Sequence, residues 1–376
     1  MLLTRRTTTA ARRLRGRARW AGALGALGAL AGAAALAAAG GATAGAVTPS
    51  SVYVQSNLVS DIPGVARITD PNLVNPWGLA AGPATSLWVA DNPTNVSTLY
   101  SGAVAGSVPA IVPIVVGTPD ADPSGLVFNP GNDFAIHEGG AMAPAKFIFS
   151  SESGEILAWA PTSPPAPAAQ VVFDRPDAVY KGLAIANTGH GTFLYATNFH
   201  DNRIDVLNSH FLPVTTPGGF RDPAIPAGFA PFGIQLIGGE LYVTYAKQDD
   251  ARHDDVAGPG HGFVDVYDPA GNLRHRLIAG GELNSPWGLA LAPAGFGAFS
   301  GALLVGNFGD GMIHAYDPAS GAELGTLTNA DGNPIAISGL WGLEFGNGVF
   351  GSPTALVFSS GLAGESHGLL GEISAG

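Results

Sequence analysis

The chain has 376 residues, a formal net charge of −12, 54 glycines, 29 prolines and no cysteine. The missing cysteine excludes disulfides, thiol chemistry and cysteine-ligated zinc, and the acidic balance excludes a nucleic-acid partner, which needs a basic face. Because 46% of residues are apolar and only 12% charged, the glycines and prolines read as punctuation between many short strands rather than as disorder.

Residues 1–46 stand apart from the rest. Seven arginines (Arg5, Arg6, Arg12, Arg13, Arg15, Arg17 and Arg19) precede an Ala/Gly/Leu run from Trp20 to Gly41, and Ala42-Thr43-Ala44 has the small-x-small form of a signal peptidase site. That order of basic, apolar and small segments predicts a cleaved export signal. A transmembrane anchor is the competing reading, but the alanines and glycines make the run weakly hydrophobic. The arginine pairs leave a twin-arginine route open beside the general one. Cleavage removes the seven arginines and no acid, leaving 10 basic against 29 acidic side chains, a net of about −19. Residues 47–376 are then one mature domain, secreted to the extracellular space or periplasm, with no stable membrane insertion.

One pattern then returns six times: Asn75-Pro76-Trp77-Gly78-Leu79-Ala80, Pro123-Ser124-Gly125-Leu126, Tyr180-Lys181-Gly182-Leu183, Pro231-Phe232-Gly233-Ile234, Pro286-Trp287-Gly288-Leu289 and Leu340-Trp341-Gly342-Leu343. Its glycines are 47, 57, 51, 55 and 54 residues apart, a period that marks a radial repeat of short strands. Each glycine motif opens a first strand. A second apolar run follows (Leu87–Ala90, Phe147–Ser150, Leu194–Thr197, Leu241–Thr244, Leu303–Gly306, Ala355–Phe358). A third comes after a polar loop, as in Arg203–Leu207, Gly262–Tyr267 and Met312–Tyr316. Fourth strands are expected at Ile111–Val116, Val171–Phe173 and Arg274–Ile278. Four antiparallel strands per repeat make a propeller blade, so the fold expected is all-β, a six-bladed β-propeller. The sixth repeat runs out after its third strand near Leu369-Leu370-Gly371, and Ser51–Gln55 is a strand with no repeat of its own. The N-terminal strand is therefore expected to close the last blade and remove an open edge.

Pro-x-Gly, an apolar strand, and Leu194-Tyr195-Ala196-Thr197-Asn198 leading to Asn202-Arg203-Ile204 resemble NHL-type repeats. With Asn-Pro-Trp-Gly-Leu-Ala in the first blade and Ser-Pro-Trp-Gly-Leu-Ala in the fifth, residues 51–374 resemble an exported bacterial family of six-bladed propellers with no assigned activity. The resemblance implies the fold and carries no catalytic residue.

Two rings of side chains gather on the face where the loops before strand one and after strand two open. The position ending strand two holds Asp91, Ser151, Asn198, Tyr245, Asn307 and Ser359. Oxygen-rich, this ring would suit a hard cation such as calcium, or each side chain would cap its own turn. Asp91, Asn198 and Asn307 are the metal candidates. The residues before the repeat glycines are Trp77, Ser124, Lys181, Phe232, Trp287 and Trp341. The aromatics would stack a sugar or flat ligand or pack between blades. A buried Lys181 needs an acidic partner, expected in Asp91 or Asp201. Asp201 and Asp310 complete the ligand-binding candidates. The loop Lys247–His261 holds four aspartates and two histidines and is the longest irregularity on this face, a metal-binding or channel-covering segment or a solvated acidic loop.

No H-E-x-x-H or phosphate-cradling glycine loop occurs in the sequence. The function expected is therefore a binding module for a protein, glycan or small molecule, monomeric and without a catalytic set. The alternative is a metal-dependent hydrolase or lactonase. Gluconolactonase-like propellers are similar in architecture, and that likeness implies a divalent cation on Glu, Asn and Asp ligands, although this chain lacks a glutamate at the corresponding first-blade position. A quinone-dependent oxidoreductase has no support in the sequence.

Overall fold

Short β-branched and aromatic runs broken by glycine and proline fold into six antiparallel sheets taken one after another along the chain. The computed structural model describes residues 52–376, so the expected export signal lies outside the described residues. The innermost strands are Pro76–Ala80, Pro123–Phe128, Tyr180–Thr188, Phe229–Ile237, Pro286–Leu291 and Leu340–Phe345. Each is followed outward by the next strands of its own sheet, which is the meander of a propeller blade. The expected six-bladed architecture is the one observed.

Closure follows the expected route. Tyr53–Ser60 pairs antiparallel with His367–Ala375, from Tyr53 opposite Ala375 to Ser60 opposite Leu369, with a bulge between Asn57 and Val59. The chain's first strand thus becomes the fourth of blade six and covers an edge that would otherwise be open. Tyr53 locks the seam: its hydroxyl donates to Phe296 O at 3.0 Å and accepts from Phe299 N at 3.2 Å, while its ring stacks on Phe299.

The repeat glycines have a steric cause. A Cβ on Gly78 would lie 2.5 Å from Ser124 O of the next blade, and one on Gly342 would lie 2.6 Å from Trp77 O. Innermost strands converge so closely that only a bare Cα fits between them. The same spot is tied by hydroxyls from strand two: Gly182 N donates to Thr197 Oγ1, which donates to Phe232 O of the following blade at 2.7 Å, and Ser359 Oγ donates to Trp77 O.

Two local expectations need correction. Blade one's fourth strand is not continuous over Ile111–Val116. It splits into Pro109–Ile111 and Val116–Gly117, because Pro113 has no N–H to give the ladder. Ser359 also does not end strand two of blade six in the sense of Asn198. Phe358 pairs with Gly371 as Ala196 pairs with Asp205, which puts Ser360 at the equivalent place. Blade two adds a hairpin, Ala135–Glu138 with Ala141–Pro144, between its first two strands.

Apolar side chains fill the gaps between neighbouring blades. Trp88 of blade one stacks on Phe147 of blade two with centroids 3.9 Å apart, and comparable clusters join the other pairs of blades. One further cluster lies on the axis, and it shapes the site described next.

Candidate functional site at the channel mouth

The loops after strand two are anchored alike. A residue at the end of strand two donates its backbone N–H to the segment that leads into strand one of its own blade: Asn92 to Asn75, Glu152 to Asp122, Phe199 to Val179, Phe308 to Ser285 and Gly361 to Gly339, while in blade four the longer strand carries the bond two residues further on, from Gln248 to Gly228. This bond fixes both loop sets on one face, around the mouth of the central channel.

Below that mouth the channel is closed by aromatic rings. Trp77 stacks on Trp341 with centroids 3.6 Å apart, Phe308 stacks on the same Trp341 at 4.1 Å, and Trp287 meets both tryptophans edge-on. Phe232 lies 5.8 Å from Trp341 and 5.2 Å from Phe199. Trp77, Phe232, Trp287 and Trp341 are all buried. The four aromatics expected around the channel therefore meet each other across the axis instead of wedging between blades, and they leave no open stacking face at the centre. Beyond them the axis holds a narrow cavity of about 40 Å³ lined by the repeat glycines and leucines, room for little more than water. Trp287 Nε1 donates to Lys181 O and Trp341 Nε1 to Asn75 Oδ1, whereas the buried Trp77 Nε1 has no partner.

Lys181 occupies blade three's place in this ring and is only 2% exposed. Its ammonium sits 5.1 Å from the Trp77 ring centroid and 6.0 Å from that of Phe199, an attractive arrangement for a cation. Its acidic partners are neither Asp91 nor Asp201. Lys181 Nζ donates to Glu152 of blade two and to Asp254 Oδ1, 3.5 Å away, on the blade-four loop. Glu152 Oε2 accepts from Asn92 Nδ2 of blade one at 2.9 Å. Four blades thus meet at one ammonium. His253 Nδ1 bonds Asp254 Oδ1 at 2.8 Å, and one ligand atom from each of Glu152, His253 and Asp254 lies within 4.8 Å of the others. Mixed carboxylate and imidazole donors at that spacing could hold a divalent cation.

Burial raises the Asp254 carboxyl, but the His253 hydrogen bond and the Lys181 charge outweigh it and leave Asp254 below its ordinary value. Burial raises Asp122, Asp255 and Glu365 around the same mouth.

The expected oxygen ring is engaged locally. Asp91 Oδ2 accepts from Thr98 N and Oγ1 at 3.0 and 2.8 Å, and burial holds its carboxyl well above the usual range. Asn198 Nδ2 donates to Asp201 Oδ2 and Asp205 Oδ2. Asn307 accepts from Asn284 N and donates to Glu282 O. Each of the three works inside its own blade, and no hydrogen bond joins one to another among the described residues. Asp201 pairs with Arg203 and His200, while Asp310 accepts from Met312 N and Asn284 Nδ2. Glu152, the acid that does reach Lys181, lies one residue past the ring singled out in the sequence. Its signal is that it is the only acid among the six residues that open these loops.

No family model matches the chain. Two proteins of Acanthamoeba polyphaga mimivirus do match: uncharacterized protein R648 is 32% identical over 297 residues, covering 76% of this chain and 72% of that protein, and uncharacterized protein L690 is 32% identical over 298 residues, covering 76% and 77%. The chain belongs to their family. Both are viral proteins and lend no support to the expected bacterial grouping. Among solved structures, the soluble aldose sugar dehydrogenase of Escherichia coli in its apo-form superposes with a TM-score of 0.52 at 12% identity, covering 86% of this chain and all of that one. A glucose dehydrogenase gives 0.51 at 14%, again covering 86% and 100%. At such identities the likeness is one of fold.

Proposed function

We propose that the protein is an exported binding propeller without a catalytic set, which receives its ligand at the channel mouth over Lys181. One observation carries the reading: a lysine 2% exposed is held by carboxylates from two other blades, directly above a closed aromatic plug. A buried ion pair is a poor source of stability, since apolar residues of the same volume do as well or better. Recognition of a polar ligand accounts for its presence where bulk packing does not. The ligand is a protein, glycan or small molecule, bound outside the cell by a monomer. The test is a thermal-shift and glycan-array screen of the mature chain, with hits repeated on Lys181→Met and Glu152→Gln. Binding that both substitutions abolish supports the reading, and binding indifferent to both sinks it.

A second reading is favoured by the Glu152, His253 and Asp254 donors: a metal-dependent hydrolase with its cation at the mouth. Such a cation would have to share Glu152 and Asp254 with the Lys181 ammonium, which is why the binding module is preferred. Elemental analysis, together with lactone hydrolysis in calcium, zinc and EDTA, separates the two. Metal-dependent turnover lost in Glu152→Gln and His253→Ala would establish the hydrolase.

A further inference from the structure

A second recess opens on the same face between blades five and six, about 410 Å³ in volume and lined among others by Phe308, Asp310, Ser338 and Glu365. That volume falls in the range of small-molecule sites. The wall residue Phe308 is braced from the plug side by its stack on Trp341. Asp310 is fixed by three hydrogen bonds, from Met312 N, Asn284 Nδ2 and Asn307 Nδ2. Every one of these donors is neutral, so its negative charge has no counter-ion in contact. Glu365 stands opposite in chain terms, on the loop after strand two of blade six, and its Oε1 is buried without a hydrogen-bond partner. Neither carboxylate forms an ion pair among the described residues, and no basic side chain lines the recess.

An aromatic wall and two unpaired carboxylates describe a ligand by its charge. A sugar would satisfy the aromatic face and leave the two charges unbalanced, and a bare metal ion would make no use of the aromatic ring. An ammonium carried on an organic group uses both features, its positive hydrogens against the ring and its charge beside the carboxylates. We propose that this recess binds an organic ammonium group, primary or quaternary, with Phe308 against it and Asp310 and Glu365 as its counter-charge. This goes beyond the Lys181 site: it uses blades five and six, where that site uses blades one to four. Burial also raises the Glu365 carboxyl, and an ammonium beside it would favour its ionised form.

The test is calorimetric titration of the mature chain with choline chloride, with putrescine, and with 3,3-dimethylbutan-1-ol as the uncharged isostere of choline, all at constant ionic strength. At least one of the two ammonium compounds should bind saturably in the millimolar range or tighter, and the neutral alcohol about tenfold more weakly than choline if choline is the binder. Glu365→Gln, nearly isosteric and on a surface loop, should weaken binding about tenfold, with Phe308→Leu as the second variant. Lys181→Met removes a positive charge that acts on Glu365 and should tighten amine binding slightly rather than weaken it, which keeps a failure here distinct from a failure of the Lys181 mouth. Absence of saturable binding by both amines, equal binding of choline and its neutral isostere, or full binding by Glu365→Gln would each overturn the proposal.

Discussion

Replacing Lys181 by methionine tests the mouth at its centre. The side chain is 2% exposed and Glu152 only 12%, so the pair is almost wholly removed from water, whereas Asp254 is 68% exposed and 3.5 Å away. Methionine keeps the apolar stem beside Trp77 and Phe199 but leaves Glu152 facing the plug with only Asn92 to stabilise its charge. Stranding one member of a buried pair costs about 3–5 kcal/mol. An unfolding entropy of ~2.1 cal/mol/K per residue over roughly 325 residues turns that into a fall of about 4–7 °C in Tm. Glu152→Gln should cost less, because Lys181 retains Asp254, and the Lys181→Met/Glu152→Gln double variant should recover about 1–3 kcal/mol of the summed losses. Asp254→Asn, at an exposed position, should cost about 0–1 kcal/mol. The assay is equilibrium urea unfolding followed by tryptophan fluorescence, which reports on Trp77 and its neighbours directly. A Lys181→Met cost below about 1 kcal/mol, or strictly additive single losses, would refute the claim that these residues form one desolvated unit.

Three other outcomes follow from the frame. Gly78→Ala forces a Cβ to within 2.5 Å of Ser124 O and should cost about 3 kcal/mol or more; Gly189→Ala, whose Cβ meets nothing within 4 Å, should change the urea midpoint little. Tyr53→Phe removes the hydroxyl bonded to Phe296 O and Phe299 N and should cost about 1–3 kcal/mol, with a nick at the N-terminal strand appearing first under limited proteolysis; unchanged stability would mean the seam does not depend on that hydroxyl. Burial pushes Asp265 and Glu344 up to about 7. Carboxyls raised in the folded state contribute stability that is complete below the unfolded value near 4 and is lost as pH rises through about 7, so the urea midpoint should fall from pH 5 to pH 8 and fall less in Asp265→Asn; equal slopes in the two proteins would contradict that.

The blade count, the strand order and the terminal closure were legible because each is enforced within a blade or by a bare steric rule, as at Gly78 and Gly342. Errors of detail came from single residues that interrupt the rule. Pro113 splits a strand by withholding one N–H, and a one-residue offset exchanges Ser359 for Ser360. The mouth was legible only in part for a different reason. Lys181 stood out as a charge in an aromatic ring, and the acidic loop stood out by its length, but the partners are 29 and 73 residues away from Lys181 in sequence. Only ring closure brings them together, and no spacing within one repeat can encode a contact made between blades two, three and four.

The same logic indicates where chemistry can change without cost to the fold. Five of the six residues that lead out of strand two share one backbone hydrogen bond, and Gln248 makes its counterpart two residues further along blade four, yet they carry Asn92, Glu152, Phe199, Gln248, Phe308 and a glycine, Gly361. Except at Gly361, where a Cβ would lie 2.2 Å from Asn75 Oδ1, the scaffold asks for an N–H and nothing of the side chain, in contrast to the repeat glycines one layer below, where the steric demand fixes the residue. Four of the six side chains enter the surroundings of Lys181 or the recess beside it: Asn92 and Glu152 by hydrogen bonds, Phe199 over the ammonium, Phe308 as a wall. A ring of fixed backbone and free side chains is the arrangement a repeat fold needs if relatives are to exchange ligands while keeping the propeller, because substitutions there alter what the mouth presents and leave the bonds that close it untouched.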